Sequence, residues 1–177
     1  VNVNTLVEDL CNKLNDNNIT TYIDYSNKSA GFKFAEAEVN GIPIRIEIGL
    51  RDLSDGFITL VRRDTREKTN VFINDDVVSR VKTLLNDIQN NLYNRALERR
   101  NEMTYVAKSM DEMKEIISNH PGFVKAMWCG NKECEDKIKE IKGTKSRCIP
   151  FEQEHISDKC VCCGKDAKEM VIWGIQY

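Results

Sequence analysis

The sequence predicts an α/β fold in two parts: a larger α/β domain, a helical connector and a smaller α+β domain. Helical and strand periodicities alternate through residues 1–73, and a long amphipathic stretch then runs from about 75 to 100. Of the seven cysteines, Cys11 stands alone; the others crowd between Cys129 and Cys163, a shift in composition that sets a domain boundary near residue 100. The division is taken as 1–102 and 103–177.

Val3, Leu6, Val7, Leu10 and Leu14 recur at helical spacing, so the chain opens in an amphipathic helix ending near 15–18. "ITTYID" (19–24) is rich in β-branched residues and reads as a strand. Residues 32–40 look helical, and Gly41 ends that helix. "IPIRIEIG" (42–49) alternates apolar and charged residues, as a strand with one wet face does. Asp55-Gly56 is a hairpin-type turn before the strands 57–63 and 68–73. Asn74 is placed to cap a helix over 75–100, striped by Val77, Val78, Val81, Leu84, Leu85, Ile88 and Leu92. Ser109 and Glu112 form a capping box for a helix to about 118. Strand 123–128, a short helix at 132–142, a strand at 146–149 and a last strand at 170–177 complete the chain.

At 41% hydrophobic residues the chain has material for real cores. A net charge of −2 leaves any nucleic-acid contact to a local patch. There is no apolar run of membrane-spanning length, and "VNVNTLVEDL" lacks the layout of a signal peptide, so the expected compartment is the cytoplasm, without membrane association. In a reducing compartment, clustered cysteines point to metal or thiol chemistry ahead of disulfides.

Cys129-x4-Cys134 and Cys160-x2-Cys163 are two short-spaced pairs, the ligand set that tetrahedral zinc takes. Gly164 directly after Cys163 suits the sharp turn of a metal knuckle, which makes Cys162 the spare thiol of "DKCVCCGK". Four sulfurs close the coordination sphere, so the metal is structural. A redox Cys-x-x-Cys is the competing reading, and an exchange of Cys148 for Cys134 stays open. Cys148 is otherwise read as a small buried hydrophobe and Cys11 as core. His120 and His155 lie in polar loops with no nucleophile near them in sequence, and no phosphate-binding glycine loop occurs. From the residues alone, the chain is a binding module with a zinc-stapled annex and no catalytic residue.

"GFKFAEAEVNGIPIRIEIGLRDL" (31–53), "VRRD", "WCG", "SRCIPF", "KCVCCGK" and an aromatic last strand ending in Tyr177 together resemble the C-terminal half of prolyl-tRNA synthetases. The type resembled is the class II, eukaryotic/archaeal-like one, with a zinc-binding domain after its anticodon-binding domain. The resemblance implies a mixed-sheet anticodon-binding fold whose first strand is missing here. It also implies an upstream catalytic domain, absent from this sequence, that binds ATP, Mg and proline and attaches proline to its tRNA. Proline tRNA, that catalytic domain and a second copy in a homodimer are the implied partners. Carried over by motif, the anticodon readers are Glu38, Arg45, Arg51, Asp52 and Lys68, with Leu50 where the family commonly has proline. Carboxylates can accept from guanine N1–H and N2–H₂, and guanidinium groups suit O6 and N7. Arg62, Arg63, Arg66, Arg95, Arg99 and Arg100 are candidates for phosphate contact or plain solvated surface. Tyr177 is implied to reach toward the catalytic domain with its terminal carboxylate. A stand-alone zinc-stabilised interaction or regulatory module is the alternative, and a thiol oxidoreductase a third.

Overall fold

The computed structural model describes residues 2–175; the interdomain role expected of Tyr177 lies outside them. The elements are helices α1 (Val3–Asp16) and α2 (Ala30–Val39), strand β1 (Ile44–Glu47), helix α3 (Leu50–Ser54), strands β2 (Phe57–Arg62) and β3 (Lys68–Phe72), and helix α4 (Val77–Glu102). They continue with β4 (Thr104–Val106), α5 (Met110–Asn119), β5 (Phe123–Trp128), α6 (Lys132–Lys139), β6 (Thr144–Cys148) and β7 (Glu169–Ile175). Two compact units divide between Asn94 and Arg95, inside α4.

In the first unit, β1, β2 and β3 form an antiparallel sheet in that order. Strand alternation sends Ile44, Ile46, Ile58, Leu60 and Val71 to one face, where they pack with Leu14 of α1 and with Val77 and Val81 of α4. The opposite face carries two rows set by register, Arg45–Val61–Lys68 and Glu47–Thr59–Asn70. That alternation is what aims the charged side chains of β1 away from the core.

Four sequence expectations change here. Residues 19–24 pair with no strand among the described residues. Side chains of α1 take their polar groups instead: Asn15 Oδ1 accepts from the Thr21 N–H at 3.1 Å and from its hydroxyl at 3.0 Å. The Asp55-Gly56 turn is not a hairpin, because α3 lies between β1 and β2. There Gly56 N–H donates to Leu53 O at 3.2 Å, closing the C-terminus of α3. Asp76, and not Asn74, caps α4, its Oδ1 accepting from Ser79 N–H at 3.0 Å. The three-residue β4 is too short to show a periodicity, and the sequence gives no sign of it.

In the second unit, the sheet runs β4-β5-β7-β6, with β4 parallel to β5 and the other pairs antiparallel. Val124 pairs with Trp173 and Ala126 with Val171, so all four share one face. Met113 and Ile117 of α5, Ile138 of α6 and Val161 cover that face in one core. The capping box at the start of α5 forms as expected: Glu112 N–H donates to Ser109 Oγ at 3.2 Å, and Lys108 N–H to Glu112 Oε2 at 2.7 Å. Where β7 runs past the end of β6, Gln153 supplies the missing neighbour. Its Oε1 accepts from Met170 N–H at 2.6 Å, and its Nε2 donates to Met170 O at 3.3 Å.

Candidate functional site: a cysteine cluster and a charged sheet face

Strand β5 delivers Cys129 at its end, and α6 begins three residues later and carries Cys134. The segment 160–165 folds as a tight knuckle, with Cys160 N–H donating to Lys165 O at 2.7 Å and Gly164 N–H to Cys160 O at 3.0 Å. Gly164 has φ +70, the left-handed conformation that a side chain resists. Two backbone hydrogen bonds dock this loop on β5: Val161 N–H to Met127 O at 2.9 Å and Lys168 N–H to Trp128 O at 2.7 Å. Trp128 donates its indole N–H to Asn131 O at 3.1 Å, bracing the turn between Cys129 and Cys134. Neither Trp128 nor Asn131 was marked as a site residue by its sequence context.

The outcome is that Cys129, Cys134, Cys160 and Cys163 bring their sulfurs within 4.8 Å of one another. Cys129 Sγ lies 3.7 Å from both Cys134 Sγ and Cys163 Sγ. A tetrahedron with Zn–S bonds of about 2.3 Å has edges of about 3.8 Å, so the donor set fits a closed metal site. Burial pushes the Cys134 and Cys160 thiols up, as apolar surroundings do without a bound cation. The Cys163 thiol is lowered to about 7, chiefly by the backbone N–H of Lys165. An open groove beside Cys129 is lined by Lys132, Lys165 and Lys168 together with Asp166.

Cys162 stays outside the cluster and packs against the core, as its expected status as the spare requires. Cys148 differs from expectation. It is exposed, at the end of edge strand β6, and takes no part in the cluster. The apolar neighbours Ile149 and Phe151 suggest burial from sequence, yet both are themselves exposed. Cys11 is half-buried, with its Sγ 2.7 Å from Thr21 Oγ1.

In the first unit the polar face of the sheet gathers a second constellation. Arg45 donates from Nε and NH2 to Glu47 Oε1 at 3.0 and 2.8 Å. Lys68 Nζ donates to Glu47 Oε2 at 3.0 Å. From α2, Phe34 places its ring 4.1 Å from the Arg45 guanidinium, and Glu38 Oε1 stands 3.8 Å from Arg45 NH1. Arg66 NH2 reaches Glu38 Oε2 at 3.5 Å, and Arg63 Nε donates to Glu38 O at 2.9 Å.

Glu38, Arg45 and Lys68 are therefore brought together, and Glu47 and Phe34 join them without having been singled out from sequence. Arg51 and Asp52 lie on α3, and no hydrogen bond or ion pair ties their side chains to this cluster among the described residues. Asp52 Oδ2 sits 2.8 Å from where a Cβ on residue 49 would be, so Gly49 lets the Asp52 carboxylate lie close over the start of α3. Leu50 opens α3 as its first residue, a position where proline is also well accommodated. Arg62 is removed from the phosphate candidates, since its guanidinium is committed to the buried carboxylate of Asp64 at 2.7 Å.

The fold and the charged face define a class first: residues 1–84 match the family described as anticodon binding domain. Residues 110–177 match the family described as prolyl-tRNA synthetase, C-terminal, and the chain belongs to the prolyl-tRNA synthetase family. A proline–tRNA ligase of Clostridium novyi (strain NT) is 51% identical over 88% of this chain. A proline–tRNA ligase of Clostridium botulinum (strain Loch Maree / Type A3) is 52% identical over 88%. A proline–tRNA ligase 2 of Bacillus thuringiensis subsp. konkukian (strain 97-27) is also 52% identical over 88%. The chain spans about a third of the length of these relatives, the matched region being 32% of each.

Proposed function

We propose that this chain is the tRNA-recognition and C-terminal zinc portion of a proline–tRNA ligase. The reaction, attachment of proline to its tRNA with ATP and Mg, belongs to a catalytic domain of the same polypeptide. That polypeptide works in the cytoplasm as a homodimer, and Tyr177 communicates with its catalytic domain. The observation that carries the reading is the pairing of Arg45 NH1 with Glu38 Oε1, side by side at 3.8 Å on an anticodon-domain sheet.

A donor beside an acceptor matches guanine, whose Watson–Crick edge sets the O6 acceptor beside the N1–H and N2–H₂ donors. Adenine reverses the pattern, with a donor at N6 and an acceptor at N1, so the same two side chains reject it. Lys68 adds positive charge to this face, while Arg51 and Asp52 on α3 serve a neighbouring base. Anticodon bases are unstacked and expose these edges, which duplex RNA hides. Zinc held by Cys129, Cys134, Cys160 and Cys163 supplies structure alone, because four sulfurs leave no position for substrate.

Glu38→Ala tests the reading. In the intact protein it is expected to weaken binding of a proline tRNA transcript by about 1–3 kcal/mol, the size of one base contact. A transcript whose two anticodon guanines are replaced by cytosine should bind Glu38→Ala and the wild type equally. Arg99→Ala, on the exposed end of α4, should weaken both transcripts alike through lost phosphate attraction. Equal losses on both transcripts for Glu38→Ala would remove the base-reading role.

A further inference from the structure

We infer that Glu47 is a positioning residue for anticodon recognition: it orients Arg45 and keeps Glu38 available for a base without touching the base itself. The inference rests on the anticodon reading proposed above.

A guanidinium has five N–H donors in a rigid plane. Glu47 Oε1 takes the Nε and NH2 side of Arg45 at 3.0 and 2.8 Å, so NH1 is left without a hydrogen bond among the described residues, 3.8 Å from Glu38 Oε1. The Phe34 ring, 4.1 Å away, restrains the tilt of the plane through a cation–π contact. Lys68 holds the second Glu47 oxygen at 3.0 Å, so the carboxylate has no freedom to rotate away. These restraints fix the direction in which Arg45 can donate.

The 3.8 Å separation of Arg45 NH1 and Glu38 Oε1 is too long for a hydrogen bond. Glu38 therefore competes with Glu47 for the same guanidinium and loses. Remove the charge at Glu47 and the guanidinium is free to close on Glu38 as a direct pair. That pair would consume both the donor and the acceptor that a guanine edge needs. Arg45 and Glu47 are each only 17% exposed on their side chains, so solvent competes poorly for the Arg45–Glu47 bond.

The other charged groups of this face are Lys68 of β3, which holds Glu47, and Arg66, which reaches Glu38, and neither can replace the two bonds that Glu47 Oε1 accepts from Arg45. Nothing in the sequence separates Glu47 from any other polar residue on a wet strand face. Its role becomes visible once register brings Lys68, two strands away, onto its second oxygen.

The test is Glu47→Gln in the intact protein, which preserves size and removes the charge. Binding is measured for the proline tRNA transcript and for transcripts with each anticodon guanine singly changed to adenine. The expected result is about a tenfold loss for the guanine transcript. The transcript with adenine at the position Arg45 reads should change little and the other should lose as much as the guanine transcript, so guanine-over-adenine discrimination contracts at one anticodon position. The melting temperature should fall by a few degrees at most, because the Arg45 contact is weakened while the fold is kept. Because Glu47 acts through Arg45, Glu47→Gln combined with Arg45→Ala should discriminate no less than Arg45→Ala alone. A uniform loss across all transcripts, or an effect that adds to Arg45→Ala, would overturn the inference. A wild-type protein that does not discriminate at all would remove the anticodon reading itself, which is a separate and recognisable outcome.

Discussion

Chelation of the intact protein is expected to melt the cysteine-bearing end of the second unit while the first unit keeps its sheet. Residues 149–168 contain no regular strand or helix, only an isolated bridge between Lys159 and Asp166. Their order rests on two backbone docking bonds to β5, the Gln153 bonds to Met170, the packing of Val161 in the core and the four sulfurs. Without a metal, the buried Cys134 and Cys160 keep their protons, and the knuckle loses the cross-link that ties it to β5 and α6. In peptides with no other core, structural zinc is worth roughly 10–16 kcal/mol. Here Trp173, Met113 and Ile138 form a separate core, so part of the unit's stability survives metal loss.

The expected cost is at least about 3 kcal/mol, which lowers the melting temperature of a unit this size by more than about 10 °C. Hydrogen exchange should accelerate first at 158–168. Cys163→Ala should reproduce the chelated state, whereas Cys162→Ala should retain the metal and cost no more than about 1 kcal/mol in packing. Retention of full metal by Cys163→Ala, measured by metal analysis, would contradict the ligand assignment.

Asp64→Ala is expected to destabilise the first unit by about 3 kcal/mol, more than any exposed ion pair could. The Asp64 side chain is 1% exposed and accepts from Arg62 Nε at 2.9 Å and NH2 at 2.7 Å, and from Asn91 Nδ2 at 2.6 Å. It thereby clamps the β2–β3 turn onto α4, and its loss strands a largely buried guanidinium. The hydrogen bonds from Arg62 hold its carboxyl down at about 2, below the ordinary 3.8. A depressed acid stabilises the fold where it is ionised. Its contribution is therefore complete above about pH 4 and is lost as pH falls toward 2, on the order of 2 kcal/mol. Urea melts of the wild type at pH 6 and pH 2.5 should show this loss, and Asp64→Ala should show that much less of it.

The parts legible in the sequence are those encoded locally. The stripe of α1, the alternation of β1 and the capping box of α5 each follow from neighbours a few residues apart. The four-cysteine cluster belongs with them, because spacing and Gly164 together separate Cys160 and Cys163 from Cys162. What depended on distant partners was less visible. The β-branched run at 19–24 signals extended backbone, but not whether a neighbouring strand is there to pair with it; among the described residues none is, and Asn15 takes the Thr21 N–H. Helix α3 is hidden between a strong strand pattern and an Asp-Gly pair that imitates a hairpin. Cys148 looks buried from its neighbours, yet an edge strand and the loop after it leave all three residues exposed. Asp64 and Glu47 matter through groups that the fold brings to them, Asn91 in one case and Lys68 in the other.

The central claim, that the polar sheet face of the first unit reads anticodon guanines, is tested most directly by one equilibrium binding comparison. The intact protein is titrated with proline tRNA and with the same transcript carrying cytosine at both anticodon guanines. The account predicts that the cytosine transcript binds more weakly by about 2–6 kcal/mol, two base contacts' worth. Equal affinities would contradict it.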